Sequence, residues 1–429
     1  MNVNGSPVTV AIIGLGARGK DAYAPFCEAF PDEMKLVAAA DSDQEKLRYV
    51  MERYSLRPEN CFSSGEELLS KERLSDALMI CTPDRTHVAL ALSAIEKGYH
   101  ILLEKPISSE ADECIALERF AKEKKRIVFV CHVLRYTPFY QFIKNVVSSG
   151  KIGEPISIMA IENVCYWHQA HSFVRGNWRN SEESNPMILA KSCHDMDLLV
   201  WLMGKNCKRV SSFGGLYQFR AENAPPGAAA RCLDGCAAKK DCLYDVEKIY
   251  LDSAFGARSG KPAWPTTVLA VDPTEENVIN ALRTGPYGRC VYYCDNNVVD
   301  HQVVNLEFDD GSTAGFTMCA FTSDGGRQIK IMGTLGDLVG DMNTNIVTVG
   351  LFGREKESYD ITKFADDFSG HGGGDNAMLH EFVQHVRTGN EEGLTAISQS
   401  IQSHLIALAA EESRIKGGEP VCVYKEQGI

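Results

Sequence analysis

No uninterrupted apolar run in the sequence approaches the roughly 18 residues that span a bilayer, and no basic segment precedes the first apolar stretch, MNVNGSPVTVAIIG. Membrane insertion and secretion are therefore not expected. A long basic run is also missing, and the formal net charge is −13, which argues against a nucleic-acid partner. Nor is there the dense, even cysteine set of a disulfide scaffold: the 15 cysteines are odd in number and spread over 429 residues. That usage points to free thiols or metal ligands in a reducing cytoplasm. No internal repeat is found. What is present is an ordinary globular composition, 44% apolar and 24% charged, in a chain long enough for two domains.

The first apolar run, Val8 to Ile13, leads into Gly14, Gly16 and Gly19 and then into residues that continue as a helix. Strand, GxGxxG and helix in that order form a dinucleotide-binding turn. Gly14 permits the tight turn, Gly16 lets the backbone approach a pyrophosphate, Gly19 permits close helix–strand packing, and the helix N-terminus with Ala17 and Arg18 faces the phosphates. A second run, KLVAAADSD, ends at Asp41, 22 residues after Gly19. A carboxylate there accepts both ribose hydroxyls and repels a 2′-phosphate, so NAD(H) is expected rather than NADP(H).

The pattern repeats in DALMICTPDRTHVALALSAIEKG, a strand ending at Cys81 and a helix from near Thr86 to Lys97, and again in the strand of YHILLEKPIS. Ligands of an open parallel sheet lie outside the carboxyl ends of its strands, so Thr82, Pro83, His87, Glu104 and Lys105 are expected to line the cofactor cleft. The strand in RIVFVCHVLRY brings His132, Arg135 and Tyr136 to the same edge. Arg135 is read as a cofactor contact and Tyr136 as a substrate contact.

Further on, PMILAKSCHDMDLLVWLMG reads as one buried helix whose mouth gathers Lys191, His194 and Asp195 on one face. A histidine at a helix N-terminus meets the positive end of the dipole, which favours the neutral imidazole, and Asp195 and Asp197 compensate that dipole. Ahead of it, YWHQAHSFVRGNWRN supplies aromatic faces and donors suited to a polyhydroxylated ring, with Tyr166, His168, His171, Arg175, Trp178 and Arg179 as substrate candidates. His371 and Asp375 in SGHGGGDNAM join them, where three glycines let the backbone press close to a ligand.

RCLDGCAAKKDCLYD places Cys232, Cys236 and Cys242 within eleven residues, and GRCVYYCDN adds Cys290 and Cys294. This stretch interrupts an apparent sheet between strands near 208–217 and 298–308 and has little apolar periodicity, so something besides a core must order it. A structural Cys₄ zinc on Cys232, Cys236, Cys242 and Cys290 is expected, an iron–sulfur cluster being the second choice and Cys294 the reserve ligand. After it, HQVVNLEF, STAGFTMCAF and RQIKIMG read as strands, and TAISQSIQSHLIALAAEESRIKGG as a long helix ended by glycines.

GLGARG, CTPDRTH, LEKP, RYTPFY with GKIGEP, CHDMDLLVWLMG and HGGGD, in that order, resemble the Gfo/Idh/MocA oxidoreductases over nearly the whole chain. The resemblance implies an α/β N-terminal Rossmann domain at 1–150 and an α+β substrate domain at 151–429 with an open, mainly antiparallel sheet, here carrying a cysteine-rich insertion at about 220–295. It implies oxidation or reduction of a secondary hydroxyl of a sugar, glycoside or cyclitol, with Lys105 and His194 at the reacting carbon, and a homodimer or homotetramer formed through the second sheet. Family members usually have an aspartate four residues before the histidine; here Ala190 stands there with Lys191 beside it. Lys191 is therefore a further candidate proton acceptor, since a second ammonium and burial lower a lysine pKa. The altered relay leaves two other readings open: a redox-neutral glycoside lyase or hydrolase working by oxidation, elimination and reduction, and a non-catalytic NAD(H)-binding sensor.

Overall fold

In a computed structural model the chain is described over residues 5–424. Six short strands, β1 (Val8–Ile13), β2 (Met34–Ala40), β3 (Cys61–Phe62), β4 (Ala77–Ile80), β5 (His100–Leu103) and β6 (Val128–Val130), form a parallel sheet in the order β3-β2-β1-β4-β5-β6. Their near-continuous apolar sequence follows from burial on both faces. Ala11 and Ile13 of β1 enter one core with Leu78, Ile80, Leu90 and Leu103, while Val8, Val10 and Ile12 enter another with Met79, Leu102 and Phe129. Strand order reverses beside β1, which opens a crevice above the carboxyl ends of β1 and β4.

The second sheet has nine strands: β7 (Pro155–Asn163), β8 (Cys207–Gly215), β9 (His301–Phe308), β10 (Thr313–Cys319), β11 (Gly326–Gly333), β12 (Gly336–Asp341), β13 (Ile346–Leu351), β14 (Glu357–Asp360) and β15 (Val421–Cys422). Only β7 and β10 run parallel, every other pair being antiparallel, as expected of a mainly antiparallel sheet. The helices Cys193–Met203 and Ile397–Ile415 contribute Met196, Leu199, Leu202, Ile401, Leu405 and Ile406 to the core that these strands share with the first sheet. The other side of the sheet is uncovered, and Phe213, Val303 and Ile161 stand exposed in one register row across β8, β9, β10 and β7.

After β14 the chain returns to the first sheet. The helix Gly374–Thr388 packs Met378, Leu379, Phe382 and Val383 against Val10, Ile12 and Phe129, closing the core on that face. The cysteine-rich segment forms short helices at Val246–Tyr250 and Glu275–Thr284 and two small apolar clusters separate from the main cores.

Buried histidines make this fold acid-sensitive. His404 Nε2 accepts the Ile107 N–H at 2.9 Å while Nδ1 lies 2.9 Å from the Ser400 carbonyl, an arrangement that only the neutral ring satisfies. Burial, with His132 adding, depresses its pKa to about 3. Burial and Arg175 likewise hold His171, whose Nδ1 lies 2.9 Å from the Tyr250 hydroxyl, at about 3. The folded state thus refuses protons that the unfolded chain accepts near pH 6.5, so this stability is present above that pH and lost as pH falls. Urea unfolding is expected to weaken by about 3 kcal/mol per pH unit between roughly pH 6 and 4 from these two residues, at ~1.4 kcal/mol per unit each. His404→Leu reduces that slope; an unchanged slope refutes the assignment.

Candidate functional site

The glycine turn separates its three glycines by what surrounds them. A Cβ on Gly14, at φ +93°, would lie 2.5 Å from the Cys81 carbonyl oxygen, and one on Gly19 would overlap Gly14 O at 2.1 Å. Those two serve the chain's own packing. A Cβ on Gly16 would meet nothing within 4 Å, so its open space faces the crevice, a cradle that a bound pyrophosphate would fill. Ala17 then opens a wide helical turn, Ala17–Tyr23. Asp41, at the end of β2, accepts Leu15 N–H at 2.5 Å and Asp43 N–H at 2.8 Å, holding the acid beside the turn with lone pairs left for ribose hydroxyls. These residues fit NAD. Gly16→Val is expected to weaken NADH binding by about 10–100-fold, the ~1–3 kcal/mol of an overpacked contact. The ligand-free melting temperature should hold, and a large loss of it would show that Gly16 serves packing instead.

Other residues expected in the cofactor cleft are tied to the protein. Thr82 borders Gly14 and Pro83 follows it in the loop after β4, but His87 is buried, with Nδ1 2.7 Å from Pro106 O and Nε2 2.9 Å from Thr82 O, so it fastens two loops. Arg18 donates to Glu104 at 2.7 Å, to Asp375 at 2.7 and 3.1 Å and to the Tyr23 hydroxyl at 2.7 Å. Burial resists ionisation of Glu104, yet Arg18 and Lys105 outweigh it and keep its pKa low. This cluster joins the glycine turn to the returning helix Gly374–Thr388. Arg135 makes a bidentate pair with Asp197, both bonds 2.7 Å, and donates its remaining N–H groups to Leu394 O and Gln399 O. It is a buried tie and does not face the crevice. Tyr136 is also turned away, its hydroxyl 3.0 Å from Thr395 Oγ1.

Lys105 and His194 do come together. Lys105 Nζ donates to Ala190 O at 2.6 Å, in the segment leading to the helix of His194. His194 is buried and its Nδ1 has no hydrogen-bond partner among the described residues. Burial first, then the charge of Lys105, with His132, Arg327 and His371 adding, hold its pKa well below that of free imidazole. Desolvation and a neighbouring ammonium both favour the expected neutral ring, which stands in the first turn of its helix. His132 and His371 flank it, with ring centroids 5.7 and 6.5 Å away.

The single helix expected over 186–204 is broken in two. A short turn, Met187–Ala190, stops before Lys191, and the second helix begins at Cys193. Lys191 therefore leaves the shared face and pairs with Glu162 of β7 at 2.8 Å. Glu162 is also 2.9 Å from Arg327, its register partner on β11, and Arg327 grips Asp195 at 2.7 and 3.2 Å. The chain Lys191–Glu162–Arg327–Asp195 bolts the start of the His194 helix to the sheet. Sequence reasoning missed Glu162 and Arg327; the signal was an acid at an inward position of β7, whose outward positions Ile156, Met159 and Ile161 are apolar. Asp195 is thereby more than dipole compensation.

Of the substrate candidates, His168 packs among Trp167, Phe173 and Trp264, and burial, then Lys191 and His171, depress its pKa. His371 and Asp375 are 3.1 Å apart and both touch Arg18. Trp178 donates to Asp84 at 3.3 Å at the edge of the loop after β4. The rest go elsewhere. His171 stacks on Tyr287 at 4.6 Å, Tyr166 meets Tyr244, Arg179 pairs with Asp295 at 2.9 Å, and Arg175 is wholly buried among the cysteines. The cysteines Cys232, Cys236, Cys242 and Cys290 border one small cavity. As the side chains stand, no three His, Cys, Asp or Glu among the described residues are set to hold a metal ion.

A parallel sheet with a glycine cradle and an acid at β2, joined to an open sheet whose buried helix presents an imidazole, defines a two-domain nucleotide-dependent oxidoreductase. Residues 8–132 match the oxidoreductase family with an NAD-binding Rossmann fold, and residues 144–423 match its C-terminal alpha/beta domain. The chain belongs to the Gfo/Idh/MocA oxidoreductases. It is 23% identical over 388 residues to YteT of Bacillus subtilis (strain 168), covering 87% of each chain. It is 28% identical over 254 residues to inositol 2-dehydrogenase 4 of Saccharopolyspora erythraea, covering 58% of this chain and 68% of that one. A solved levoglucosan dehydrogenase, in complex with NADH and levoglucosan, superposes with a TM-score of 0.70 at 18% identity, covering 98% of this chain and 100% of the other. At that identity the likeness is one of fold. No helix among the described residues is long and apolar enough to cross a membrane.

Proposed function

We propose that this protein interconverts a secondary alcohol and a ketone on a sugar, glycoside or cyclitol. What supports the reading is the half-buried Lys105 ammonium, which donates to Ala190 O at 2.6 Å ahead of the His194 helix and whose charge helps depress the pKa of buried His194. NAD+, when bound, supplies the hydride acceptor. Neutral His194 takes the hydroxyl proton, and the Lys105 ammonium stabilises the oxyanion as it forms. Lys191, held by Glu162, acts as a positioning cation ahead of any role as proton acceptor. His168, His371 and Asp375 line the substrate side. Inositol and levoglucosan, named for two similar proteins, set the substrate class to be tried first.

The test is incubation with NAD+ and a panel of cyclitols, free sugars and aryl glycosides, following reduced nicotinamide together with aglycone release. Net NADH with one class is the expected result. Aglycone release without NADH would replace this reading with the redox-neutral route, and NADH binding with no turnover would replace it with the sensor.

The reading extends to assembly and place. The exposed row Phe213, Val303 and Ile161 on the uncovered sheet face suits a second copy, giving a homodimer or homotetramer. Ile161→Asp is expected to yield a lighter species by light scattering, and a native mass equal to one chain before substitution overturns the assembly. Fifteen unpaired cysteines suit the reducing cytoplasm. The cysteine cluster enters as scaffold, with any metal there ordering the outer wall of the substrate lobe.

A further inference from the structure

We propose that Cys232, Cys236, Cys242 and Cys290 bind a single structural dication of the zinc class, with the guanidinium of Arg175 as the buried counter-charge of the resulting thiolate centre. The four sulfur-bearing residues come from two stretches of chain more than forty residues apart, yet all border one cavity together with Arg175, Tyr244, Asp245 and Tyr292. The backbone brings them there. Cys232 N–H donates to Gly288 O at 3.1 Å and Cys290 N–H to Ala230 O at 2.9 Å, an antiparallel bridge that sets the two segments side by side. Gly235, at φ +75°, turns the chain between Cys232 and Cys236. Cys294 is excluded: its Sγ lies 3.2 Å from Cys290 O, and it does not border the cavity.

Arg175 is the second, independent observation. It is 0% exposed and donates to Arg289 O at 2.7 Å, Tyr244 O at 2.8 Å and Cys232 Sγ at 3.7 Å beside the Tyr250 hydroxyl, while Nη1 has no hydrogen bond among the described residues. No carboxylate contacts it in those bonds; Asp245, across the cavity, spends Oδ1 on capping the Val246–Tyr250 helix. A fully buried cation without an anion is costly enough that proteins pair it. Four neutral thiols do not answer that charge. Four thiolates on a dication do, since the centre carries −2.

The chemistry balances without redox. Four S–H groups lose their protons to solvent, four metal–sulfur bonds form, and no electron moves. The four side chains border the cavity, but no three of them are yet set around a single point, so binding would draw the sulfurs inward. The cavity of about 10 Å³ holds one water-sized body, the size of a single ion. Cores of this segment are small, Cys232 itself lying in one and Cys290 in the other, so a shared metal would join them.

The experiment is elemental analysis of the purified full-length protein, followed by replacement of the native metal with cobalt(II) and recording of its visible spectrum. One zinc per chain and the intense thiolate-to-cobalt and tetrahedral ligand-field bands are expected. Cys236→Ser should lose that metal, whereas Cys319→Ser, outside the cavity, should keep it. Arg175→Met should keep one zinc but release it to a competing chelator with 10–100-fold weaker affinity, the range found for groups that support metal ligands. Arg175→Lys, which retains the charge, should fall between. If Cys236→Ser does not fold, the cobalt spectrum of the unaltered chain decides alone. Protein with no metal that takes up no cobalt overturns the proposal, as do iron with acid-labile sulfide, a cobalt spectrum without thiolate bands, or zinc equally retained in a soluble Cys236→Ser variant.

Discussion

Lys105→Met and His194→Ala are each expected to lower kcat by about 10²–10⁴-fold, the usual contribution of a positioned proton-transfer or oxyanion-stabilising group. NADH affinity should be nearly unchanged, because neither side chain belongs to the Gly16 cradle or touches Asp41. His194 makes the sharper test. Its Nδ1 has no hydrogen bond to lose, so removing the ring costs packing but strands no partner on that side. The pH profile carries a further expectation. With its pKa depressed by burial and by Lys105, His194 stays neutral well below the ~6.5 of free imidazole, so the acid limb attributable to it lies below that pH. Lys105→Met removes one depressing charge and should move that limb upward if residual turnover is measured. Steady-state kinetics with the best substrate of the panel checks both variants. Full activity in both would overturn the site.

Arg327→Met is expected to destabilise the fold by about 3–5 kcal/mol, the cost of removing one partner of a buried ion pair. Arg327 serves two acids at once, Asp195 at the head of the His194 helix and Glu162 on the neighbouring strand. Burial, partly offset by Arg327, already raises the Asp195 pKa, and Glu162 raises it further. Without the guanidinium, two buried carboxylates would face each other with only Lys191 to answer them. Arg327→Lys keeps the charge but not the fork and should recover part of the loss. Breaking the exposed Arg53–Glu28 pair should cost less than about 1 kcal/mol and serves as the control. Urea unfolding of the three variants tests the ranking, and an Arg327→Met loss no larger than the control would show that the network holds nothing.

Local pattern carried much of the fold into the sequence. Gly14, Gly16 and Gly19 were legible because each backbone demand is local, and the strands ending at Ile80 and Leu103 were legible because a strand buried on both faces has no polar break. The open antiparallel sheet came from family likeness, not from spacing. Charged side chains near the cleft were the least legible. Arg18 meets Asp375, 357 residues away, and Arg135 meets Asp197, 62 residues away. An arginine at a strand end looks the same in sequence whether it awaits a phosphate or a distant carboxylate. Arg175 and His171 were read as sugar contacts for the same reason, their true neighbours being supplied by the cysteine-rich segment. The helix break at Lys191 was hidden because Lys191, His194 and Asp195 also satisfy helical spacing.

The return of Gly374–Thr388 onto the first sheet makes the two lobes unequal in sequence continuity. One face of the nucleotide-binding lobe is finished by residues that are made only after strands β7 to β14 of the second sheet, and Arg18 stays without Asp375 until then. A chimera that exchanges catalytic lobes between relatives at residue 150 would therefore break this lid. Such a hybrid needs three junctions, one at 150 and one on each side of 374–396, so that the lid travels with the sheet it covers.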